Sequence, residues 1–249
     1  MKIKIKDLEF IIKNFFFSQS YLLKKRLLRA INNNYENELT FIDRFSDKSK
    51  NAIDIGVYRG VYSLKLSQNF KQIYAFEPNP LLFPYLKKNL RKIIENIDLY
   101  NLALSDHTGT TELKLPLRSE SIFKDNIEEL YQLGAASIHP NNKFKSFKKV
   151  MVNTEKLDNI SINDIGFIKI DVEGHELEVI NGAKETISKN KPVLLIEIEK
   201  RHSKRSVEDT INSINNLGYN CFFAQNNNLV SIKHLNDKKL FNNFFFLPK

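Results

Sequence analysis

The stretch Ala52-Ile-Asp-Ile-Gly-Val-Tyr-Arg-Gly60, followed by Ile73-Tyr-Ala-Phe-Glu-Pro78, decides the fold of this chain. Each half is a short apolar strand that ends in a turn with polar groups. Gly56 and Gly60 permit a tight turn into a helix, because glycine adopts backbone conformations that other residues avoid. Glu77 lies 77 − 56 = 21 residues after Gly56, about the offset at which an acidic side chain accepts hydrogen bonds from a ribose. The pattern predicts a site for a nucleoside cofactor.

The first turn distinguishes between two kinds of nucleoside cofactor. A dinucleotide site has a further glycine where a pyrophosphate touches the backbone, and this chain has Tyr58 there. A phenol ring obstructs a diphosphate but leaves room for a phosphate-free ligand such as S-adenosylmethionine. Asp54, at the end of the first strand, can face the ammonium group and the sulfonium of that ligand. The turn favours S-adenosylmethionine, and an ordinary strand-turn-helix with incidental glycines stays open as the alternative.

Length and composition predict one globular domain. The chain has 249 residues, of which 42% are hydrophobic and 27% charged, enough for one large core in a single α/β domain. No apolar run is long enough to span a bilayer, and the early apolar stretch lacks a secretory cleavage site, so we expect a cytoplasmic protein. The single cysteine, Cys221, excludes an internal disulfide and a multi-cysteine zinc site.

The net charge of +9 permits nucleic acid, an anionic polymer or an anionic membrane surface as a partner. The lysines are spread along the chain, which disfavours nucleic acid. The densest basic run, Lys24-Lys-Arg26 with Arg29, falls in a helical pattern of leucines. That run indicates a solvated helix face, and peripheral membrane contact stays open. The sequence assigns no oligomeric state.

Seven strand-like runs alternate with helical patterns along most of the chain. They cover residues 52–55, 73–76, 98–103, 167–170, 193–198, 219–224 and 243–247. Such alternation builds a parallel sheet with helices on both faces. The last two runs lie close in sequence and indicate an antiparallel pair at the sheet edge. We predict an α/β fold with a Rossmann-like sheet of seven strands and an antiparallel C-terminal strand pair.

Two regions depart from this alternation. Residues 1–48 look like an N-terminal helical prefix to the domain at 49–249. Within the domain, a loop-rich insert near 116–148 separates two runs, 110–115 and 150–154, that alternate like antiparallel strands. The insert is either a lid or wall of the substrate site, or a surface excursion without ligand contact.

Four blocks of the sequence resemble the FkbM-type methyltransferases, which are S-adenosylmethionine-dependent enzymes with a seven-stranded sheet. The resemblance runs from about residue 51 to residue 202. Its blocks are Asp54-Ile-Gly-Val-Tyr-Arg-Gly60, Ala75-Phe-Glu-Pro-Asn-Pro80, Ala103-Leu-Ser-Asp106 with Gly109, and Phe167-Ile-Lys-Ile-Asp-Val-Glu-Gly-His-Glu176 with Pro192-Val-Leu-Leu-Ile-Glu197. The Asp-Val-Glu-Gly run is the most specific part. Tyr58-Arg59 departs from the smaller or amide residues of many members.

The resemblance implies a set of cofactor contacts at the carboxyl edge of the sheet. Glu77 would hold the ribose, Pro78 would lie near the adenine, and Ser105 with Asp106 would meet the adenine edge. The strand ending at Asp171 would lie next to the strand ending at Asp54, with the cofactor crevice above both. The predicted cofactor-binding residues are Asp54, Gly56, Tyr58, Gly60, Glu77, Pro78, Ser105, Asp106 and Asp171.

The run Asp171-Val-Glu-Gly-His175 ends one strand and opens onto a helix, so its polar groups converge. An acceptor hydroxyl has a pKa far above neutrality, so methyl transfer benefits from a base or a metal ion near the oxygen. We predict His175 as the base, because a helix start favours its neutral form, with Asp171 and Glu173 beside the acceptor. Alternatively, His175 only caps the helix or bonds a backbone carbonyl.

A divalent metal is left open as a second cofactor. Asp171, Glu197 and Glu199 lie at or near the ends of strands expected to be adjacent, and such carboxylates hold magnesium. The competing interpretation is a structural ion pair of Glu197 with Lys169 or Arg201, because a buried carboxylate needs a partner.

The residues and the resemblance together predict an S-adenosylmethionine-dependent O-methyltransferase. The resemblance implies a hydroxyl of a saccharide or a small metabolite as the acceptor. One alternative is a nucleic-acid-modifying methyltransferase, which the absence of an Asn-Pro-Pro-Tyr-like block disfavours. Another is a catalytically silent protein that keeps the cofactor fold for binding.

Overall fold

The computed structural model describes residues 17–33, 36–117, 135–138, 146–198, 207–234 and 241–249. The strands are β1 (Asn51–Ile55), β2 (Ile73–Phe76), β3 (Ile97–Tyr100), β4 (Ala103–Leu104), β5 (Gly109–Pro116), β6 (Phe147–Glu155), β7 (Ile165–Ile170), β8 (Val193–Glu197), β9 (Tyr219–Gln225), β10 (Asn228–Ser231) and β11 (Asn243–Pro248). The α-helices are α1 (Gln19–Asn32), α2 (Val61–Ser67), α3 (Phe83–Asn89), α4 (Glu176–Asn181), α5 (Lys184–Asn190) and α6 (Val207–Asn215). Short 3₁₀ helices cover Asn37–Phe45, Leu90–Lys92, Leu157–Asn159 and Ile232–His234.

The described strands form a main sheet of eight strands in the order β10-β9-β11-β8-β7-β1-β2-β3. β1, β2, β3, β7 and β8 are parallel to their neighbours within this group. All seven predicted runs contribute a strand to it, so the α/β fold with a Rossmann-like sheet is confirmed. The run predicted at 98–103 is two strands, because β4 leaves the main sheet and pairs with β6 in a second sheet.

The C-terminal strands β9 and β11 pair antiparallel as predicted, but the prediction that they form the sheet edge is wrong. β11 lies between β8 and β9, and the edge strand is β10, which was not among the predicted strands. Phe244, Phe245 and Phe246 are all fully buried, so β11 needs cover on both faces, which an interior position supplies. β10 follows a turn at Asn226 and Asn227, whose φ angles of 48° and 58° suit a tight hairpin.

Both faces of the main sheet carry a hydrophobic core, because consecutive strand residues point to opposite faces. Ile53 and Ile55 belong to one core with Ile168, and Ala52 belongs to the other with Phe167. Central strands covered on both sides therefore read as continuous apolar runs. Helices α1, α2 and α3 pack on one face and α4, α5 and α6 on the other. The predicted cover by helices on both faces is confirmed.

The helix predicted after Asp171 is two helices, α4 and α5, with a break at Gly182. A Cβ at Gly182 would lie 1.9 Å from the carbonyl oxygen of Ser105. The break therefore lets the chain pack directly against the backbone that follows β4. No described helix is both long and apolar enough to cross a membrane.

The smaller sheet has the order β4-β6-β5 and confirms the two predicted antiparallel strands at 110–115 and 150–154. Of the predicted insert, residues 135–138 are described, and Ser137 exchanges backbone hydrogen bonds with Lys114 of β5. Of the predicted prefix, α1 and the 3₁₀ helix Asn37–Phe45 are described, and both bury leucine or phenylalanine side chains in the core of the sheet. The division of the chain at residue 48 stays a prediction.

Candidate functional site

A cavity opens at the carboxyl ends of β1, β2 and β7 and encloses about 660 Å³, including the solvent at its mouth. Its lining residues are Ile55, Gly56, Tyr58, Phe76, Glu77, Pro78, Leu102, Ala103, Leu104, Leu113, Ala136, Ile138, Asp171, Val172 and Glu173. From β1 the chain proceeds to β2 and β3 on one side, whereas β7 and β8 lie on the other. The cavity therefore occupies the point where the strand order reverses, the usual ligand site of an open α/β sheet.

Gly56 brings the ends of β1 and β7 together beneath the cavity. Its φ is +87°, and a Cβ there would lie 1.8 Å from the carbonyl oxygen of Asp171. The Asp171 N–H donates to the carbonyl of Ile55 over 2.9 Å. Glycine is needed at position 56 for this approach between strands. Gly60 also has a φ of +87° and caps the start of α2.

Glu77 presents a buried carboxylate to the cavity, with 6% of the residue exposed. The Tyr58 N–H donates to Oε2 over 3.0 Å and the Asn79 N–H donates to Oε1 over 2.9 Å. Burial nevertheless raises the pKa of Glu77 to about 7. Each carboxylate oxygen accepts more than one hydrogen bond, so both retain capacity for hydroxyl groups of a ligand.

Tyr58 lies in the turn between Gly56 and Gly60 with a φ of 47°. Its backbone N–H is held by Glu77, the residue lines the cavity, and the Arg59 guanidinium lies 5.0 Å from the centre of its ring. Pro78 lines the cavity next to Glu77. The ring therefore stands where a dinucleotide fingerprint has glycine.

Asp54 is 1% exposed and does not line the cavity. Its Oδ2 accepts a hydrogen bond of 2.5 Å from the Ser63 hydroxyl of α2. Burial raises the pKa of Asp54 to about 7, although the Ser63 hydrogen bond and the charge of Lys169 oppose that rise. The structure gives this carboxylate a partner within the protein, and its predicted contact with a ligand ammonium group stays a prediction.

Ser105 and Asp106 do not face the cavity either. Ser105 is fully buried, with its hydroxyl 2.9 Å from Nε2 of His175 and 3.2 Å from Nδ1 of His107. Oδ1 of Asp106 lies 2.9 Å from Nδ1 of His107, and this hydrogen bond lowers the pKa of Asp106. The cavity is lined instead by the preceding run, Leu102, Ala103 and Leu104.

His175, the predicted base, stands at the start of α4 and is 8% exposed. Its Nε2 faces the Ser105 hydroxyl, its Nδ1 lies 3.7 Å from Oε2 of Glu178, and its ring does not line the cavity. The side chain makes no hydrogen bond to the helix backbone as a cap. The ring turns toward the residue that follows β4, and the predicted role of His175 as the base stays a prediction.

Asp171 and Glu173 both line the cavity. Oδ2 of Asp171 lies 3.7 Å from the fully buried ammonium of Lys169. Glu173 has a φ of 54°, and its carbonyl accepts a hydrogen bond of 2.7 Å from the hydroxyl of Ser137. Two acidic residues therefore follow the end of β7 at the cavity, and their predicted place beside the acceptor stays a prediction.

The described part of the insert forms one wall of the cavity. Ala136 and Ile138 line it together with Leu113 of β5. The hydroxyl of Ser137, which lies between Ala136 and Ile138 in the sequence, donates a hydrogen bond to the carbonyl of Glu173. This part of the insert is a wall of the site rather than a surface excursion. The sequence carried no signal for these contacts, because they join residues far apart in the chain.

The described residues contain no group of three or more His, Cys, Asp or Glu side chains able to hold a metal ion. Glu199 and Arg201 lie outside the described residues. Lys169, predicted as a partner of Glu197, lies 3.7 Å from Asp171 and 3.5 Å from Oδ1 of Asn243.

The sequence model of the methyltransferase FkbM domain matches residues 54–221, more than half of the chain. This chain belongs to the FkbM methyltransferase family. The matched segment begins at Asp54 and includes every residue that lines the cavity. The resemblance noted in the sequence is thereby confirmed. Members of this family use S-adenosylmethionine as cofactor. This agrees with the phosphate-free ligand that Tyr58 led us to expect.

Two curated relatives share part of this FkbM chain. Methyltransferase sdnD of Sordaria araneosa is 27% identical over 156 residues, which are 53% of this chain and 60% of that protein. The 2-O-methyltransferase NoeI of Sinorhizobium fredii is 25% identical over 130 residues, which are 48% of this chain and 51% of that protein. The chain thus spans little more than half the length of these relatives.

The fold is shared with a solved FkbM structure. The crystal structure of methyltransferase FkbM from Methylobacillus flagellatus superposes with a TM-score of 0.51 at 17% identity, over 82% of this chain and 44% of that chain. At this identity the likeness concerns the fold alone.

Proposed function

We propose that this FkbM-family chain is an S-adenosylmethionine-dependent O-methyltransferase whose acceptor is a hydroxyl group of a saccharide or a small metabolite. The observation that carries the proposal is the buried Glu77 carboxylate, which faces a cavity at the reversal point of the sheet beside Tyr58. The name of NoeI, a 2-O-methyltransferase, supports oxygen as the methylated atom. A cytoplasmic location belongs to the same proposal.

The cavity fits the cofactor on its chemistry. The ribose diol would donate hydrogen bonds to the two oxygens of Glu77, which the backbone of Tyr58 and Asn79 already orients. The apolar run Leu102–Leu104 offers a surface for the adenine. The bound cofactor supplies a methyl group on a positively charged sulfur, which is a good leaving group. Carboxylates at Glu77 and Asp171 make the cavity favourable for that cation.

Asp171 is our choice for the group that takes the proton of the acceptor hydroxyl, with Glu173 beside it. Both residues line the cavity, whereas His175 does not. The buried Lys169 ammonium lies 3.7 Å from Oδ2 of Asp171, and this ion pair fixes the position of the carboxylate. Apart from this general base, orientation of the two reactants supplies most of the rate enhancement, about 7 to 11 kcal/mol.

The charges around the cavity disfavour a nucleic acid as the acceptor. The lining residues in the described part of the chain include Glu77, Asp171 and Glu173 and no lysine or arginine. A phosphate backbone is repelled by such a wall, because proteins hold it with cationic side chains. The positive charge of the whole chain therefore does not extend to the described wall of the site.

The test has two stages. Calorimetric titration with S-adenosylhomocysteine is expected to show one site per chain, and absence of binding would overturn the proposal at its cofactor. Next, the protein is incubated with S-adenosylmethionine and a panel of saccharides, small alcohols and RNA, and S-adenosylhomocysteine release is measured. Transfer to RNA alone would overturn the proposed saccharide or small-metabolite acceptor. Cofactor binding without transfer to any member of the panel would identify a catalytically silent binding protein.

A further inference from the structure

The outward face of α1 carries aromatic and basic side chains together. Lys24 and Lys25 follow Tyr21 by three and four residues, which places all three exposed side chains on one side of the helix. Phe17 precedes the helix and stacks on Tyr21 with ring centres 5.1 Å apart. On the opposite side of the helix, two leucines are each 1% exposed and anchor α1 to the core.

The exposure of this aromatic pair is unusual within the described chain. Phe17 is 46% exposed and Tyr21 is 48% exposed, and the other exposed large hydrophobic side chains of the described residues are Phe147 and Met151. Large apolar side chains grouped on a surface mark a contact with another molecule.

The charge of α1 defines what that molecule carries. The helix contains Lys24, Lys25, Arg26 and Arg29 and no acidic residue. Phe147 and Met151 have a different setting, because Phe147 lies under the Lys114 ammonium and the neighbouring Lys149 pairs with Glu112 at 2.7 Å. The α1 face therefore keeps an excess of positive charge beside exposed aromatic rings.

We infer that the face formed by Phe17, Tyr21, Lys24 and Lys25 docks the protein on a membrane surface that contains anionic lipid. Aromatic rings settle at the level of the lipid head groups, and lysines beside them are attracted by the negative surface. A protein partner fits this face less well, because lysine is depleted at protein–protein interfaces whereas aromatic residues are enriched. The sequence leading into Phe17 has the same character, with Phe10-Ile-Ile-Lys-Asn-Phe-Phe16.

The experiment is co-sedimentation of the full chain with lipid vesicles. One set contains phosphatidylcholine alone, and the other contains phosphatidylcholine and phosphatidylglycerol in equal parts. We expect binding to the second set only, and weaker binding as salt is raised, because salt screens the attraction. Equal binding to both sets, or binding to neither, would overturn the inference.

Variants assign the binding to this face. Each lysine near an anionic surface contributes roughly a factor of five to binding, so the double variant K24Q/K25Q should bind about thirtyfold more weakly. The double variant F17S/Y21S should lose about tenfold or more. The matched control is F147S/M151S, which removes the other exposed apolar pair and should bind like the unchanged protein.

Three further measurements keep the result specific. Affinity for S-adenosylhomocysteine and the melting temperature show that each variant is folded, and the inference about α1 is independent of the proposed function. Sedimentation equilibrium without lipid tests the competing occupant, a second copy of the chain. A dimer that F17S/Y21S dissociates, or vesicle binding that F17S/Y21S leaves unchanged, would remove the membrane assignment.

Discussion

At the residue scale, the proposed cofactor contact depends on how Glu77 is held. Its two oxygens are fixed by backbone N–H groups on either side, of Tyr58 and Asn79, so the carboxylate is oriented before any ligand arrives. An oriented acceptor loses little freedom on binding, which favours affinity. The sequence predicted a role for Glu77 from its position at the end of an apolar strand and from its spacing to Gly56, both of which can be read from the local sequence.

Replacing Glu77 tests the ribose contact. Glu77→Ala should weaken S-adenosylhomocysteine binding by about 1.5 to 3 kcal/mol, because hydrogen bonds to a charged group are lost. Isothermal titration calorimetry measures the change, and Glu77→Gln, which keeps one acceptor oxygen, should lose less. Glu155→Ala is the control, since that carboxylate bonds Thr108 and Asn159 away from the cavity. Unchanged affinity of Glu77→Ala would remove this residue from the site.

A second pair of variants separates the two candidate bases. Asp171→Asn should lower kcat by about a hundredfold or more while S-adenosylhomocysteine affinity changes little, because general base catalysis contributes about that factor. His175→Ala should lower kcat much less, since its ring bonds Ser105 and does not line the cavity. Steady-state kinetics with an accepted hydroxyl substrate decide between them. The reverse order of effects would restore His175 as the base.

At the element scale, the site depends on the close approach of β1 and β7. Gly56 permits it, and the positive φ of Glu173 and Gly174 (54° and 102°) turns the chain back at the end of β7. The insert then fixes this turn through Ser137. Three segments distant in sequence therefore define the shape of one cavity.

Gly56→Ala should destabilise the protein more than Gly218→Ala. Both glycines have nearly the same φ, +87° and +88°, so the backbone strain of about 1 to 2 kcal/mol is common to both. A Cβ at 56 also meets the Asp171 carbonyl oxygen at 1.8 Å, whereas one at 218 meets only Nζ of the Lys191 side chain, at 3.4 Å. Chemical denaturation measures both. Equal losses would show that the approach of β1 to β7 is not tight.

The interior position of β11 predicts another contrast. Phe245 is fully buried between the sheet and the helices above it, so Phe245→Ala should cost about 3 to 5 kcal/mol of unfolding free energy. Val230→Ala in the edge strand β10 should cost about 1 kcal/mol or less, because this side chain is only partly buried. Denaturant titration compares the two. A small loss at Phe245 would contradict the observed strand order.

At the scale of the whole molecule, three buried carboxyls couple stability to pH. Burial raises the pKa of Asp54, Glu77 and Glu176 to about 7 in each case. In the unfolded chain such groups ionise at about pH 4. Between these values the folded state binds more protons than the unfolded state, so the free energy of unfolding falls as pH rises toward 7.

The ligand-free protein should therefore melt at a lower temperature at pH 7.5 than at pH 5.5. Asp54→Asn should reduce this difference, because one of the three groups no longer titrates, whereas the exposed Glu112→Gln should leave it unchanged. Saturating S-adenosylmethionine should raise the melting temperature more at the higher pH, since the ionised Glu77 favours a cation. Differential scanning calorimetry checks both trends, and a melting temperature that rises with pH would contradict them.

The sequence by itself determined the elements whose signals are local. The apolar runs, the glycines at 56 and 60, the spacing to Glu77 and the Asp-Val-Glu-Gly block were enough to predict the parallel strands and the family. These features follow from short-range chemistry, namely side-chain periodicity and backbone freedom, which can be read without knowing what lies next to each strand.

Only the tertiary structure decided which side chains face the cavity and which strand takes the interior place. Ser105, Asp106 and His175 turn toward each other or toward neighbouring residues, while Leu102–Leu104 and Ala136 with Ile138 form the wall. β11 enters between β8 and β9 because three consecutive phenylalanines require cover on both faces. These outcomes depend on packing between segments far apart in the chain, and a local pattern carries no information about the direction of such contacts.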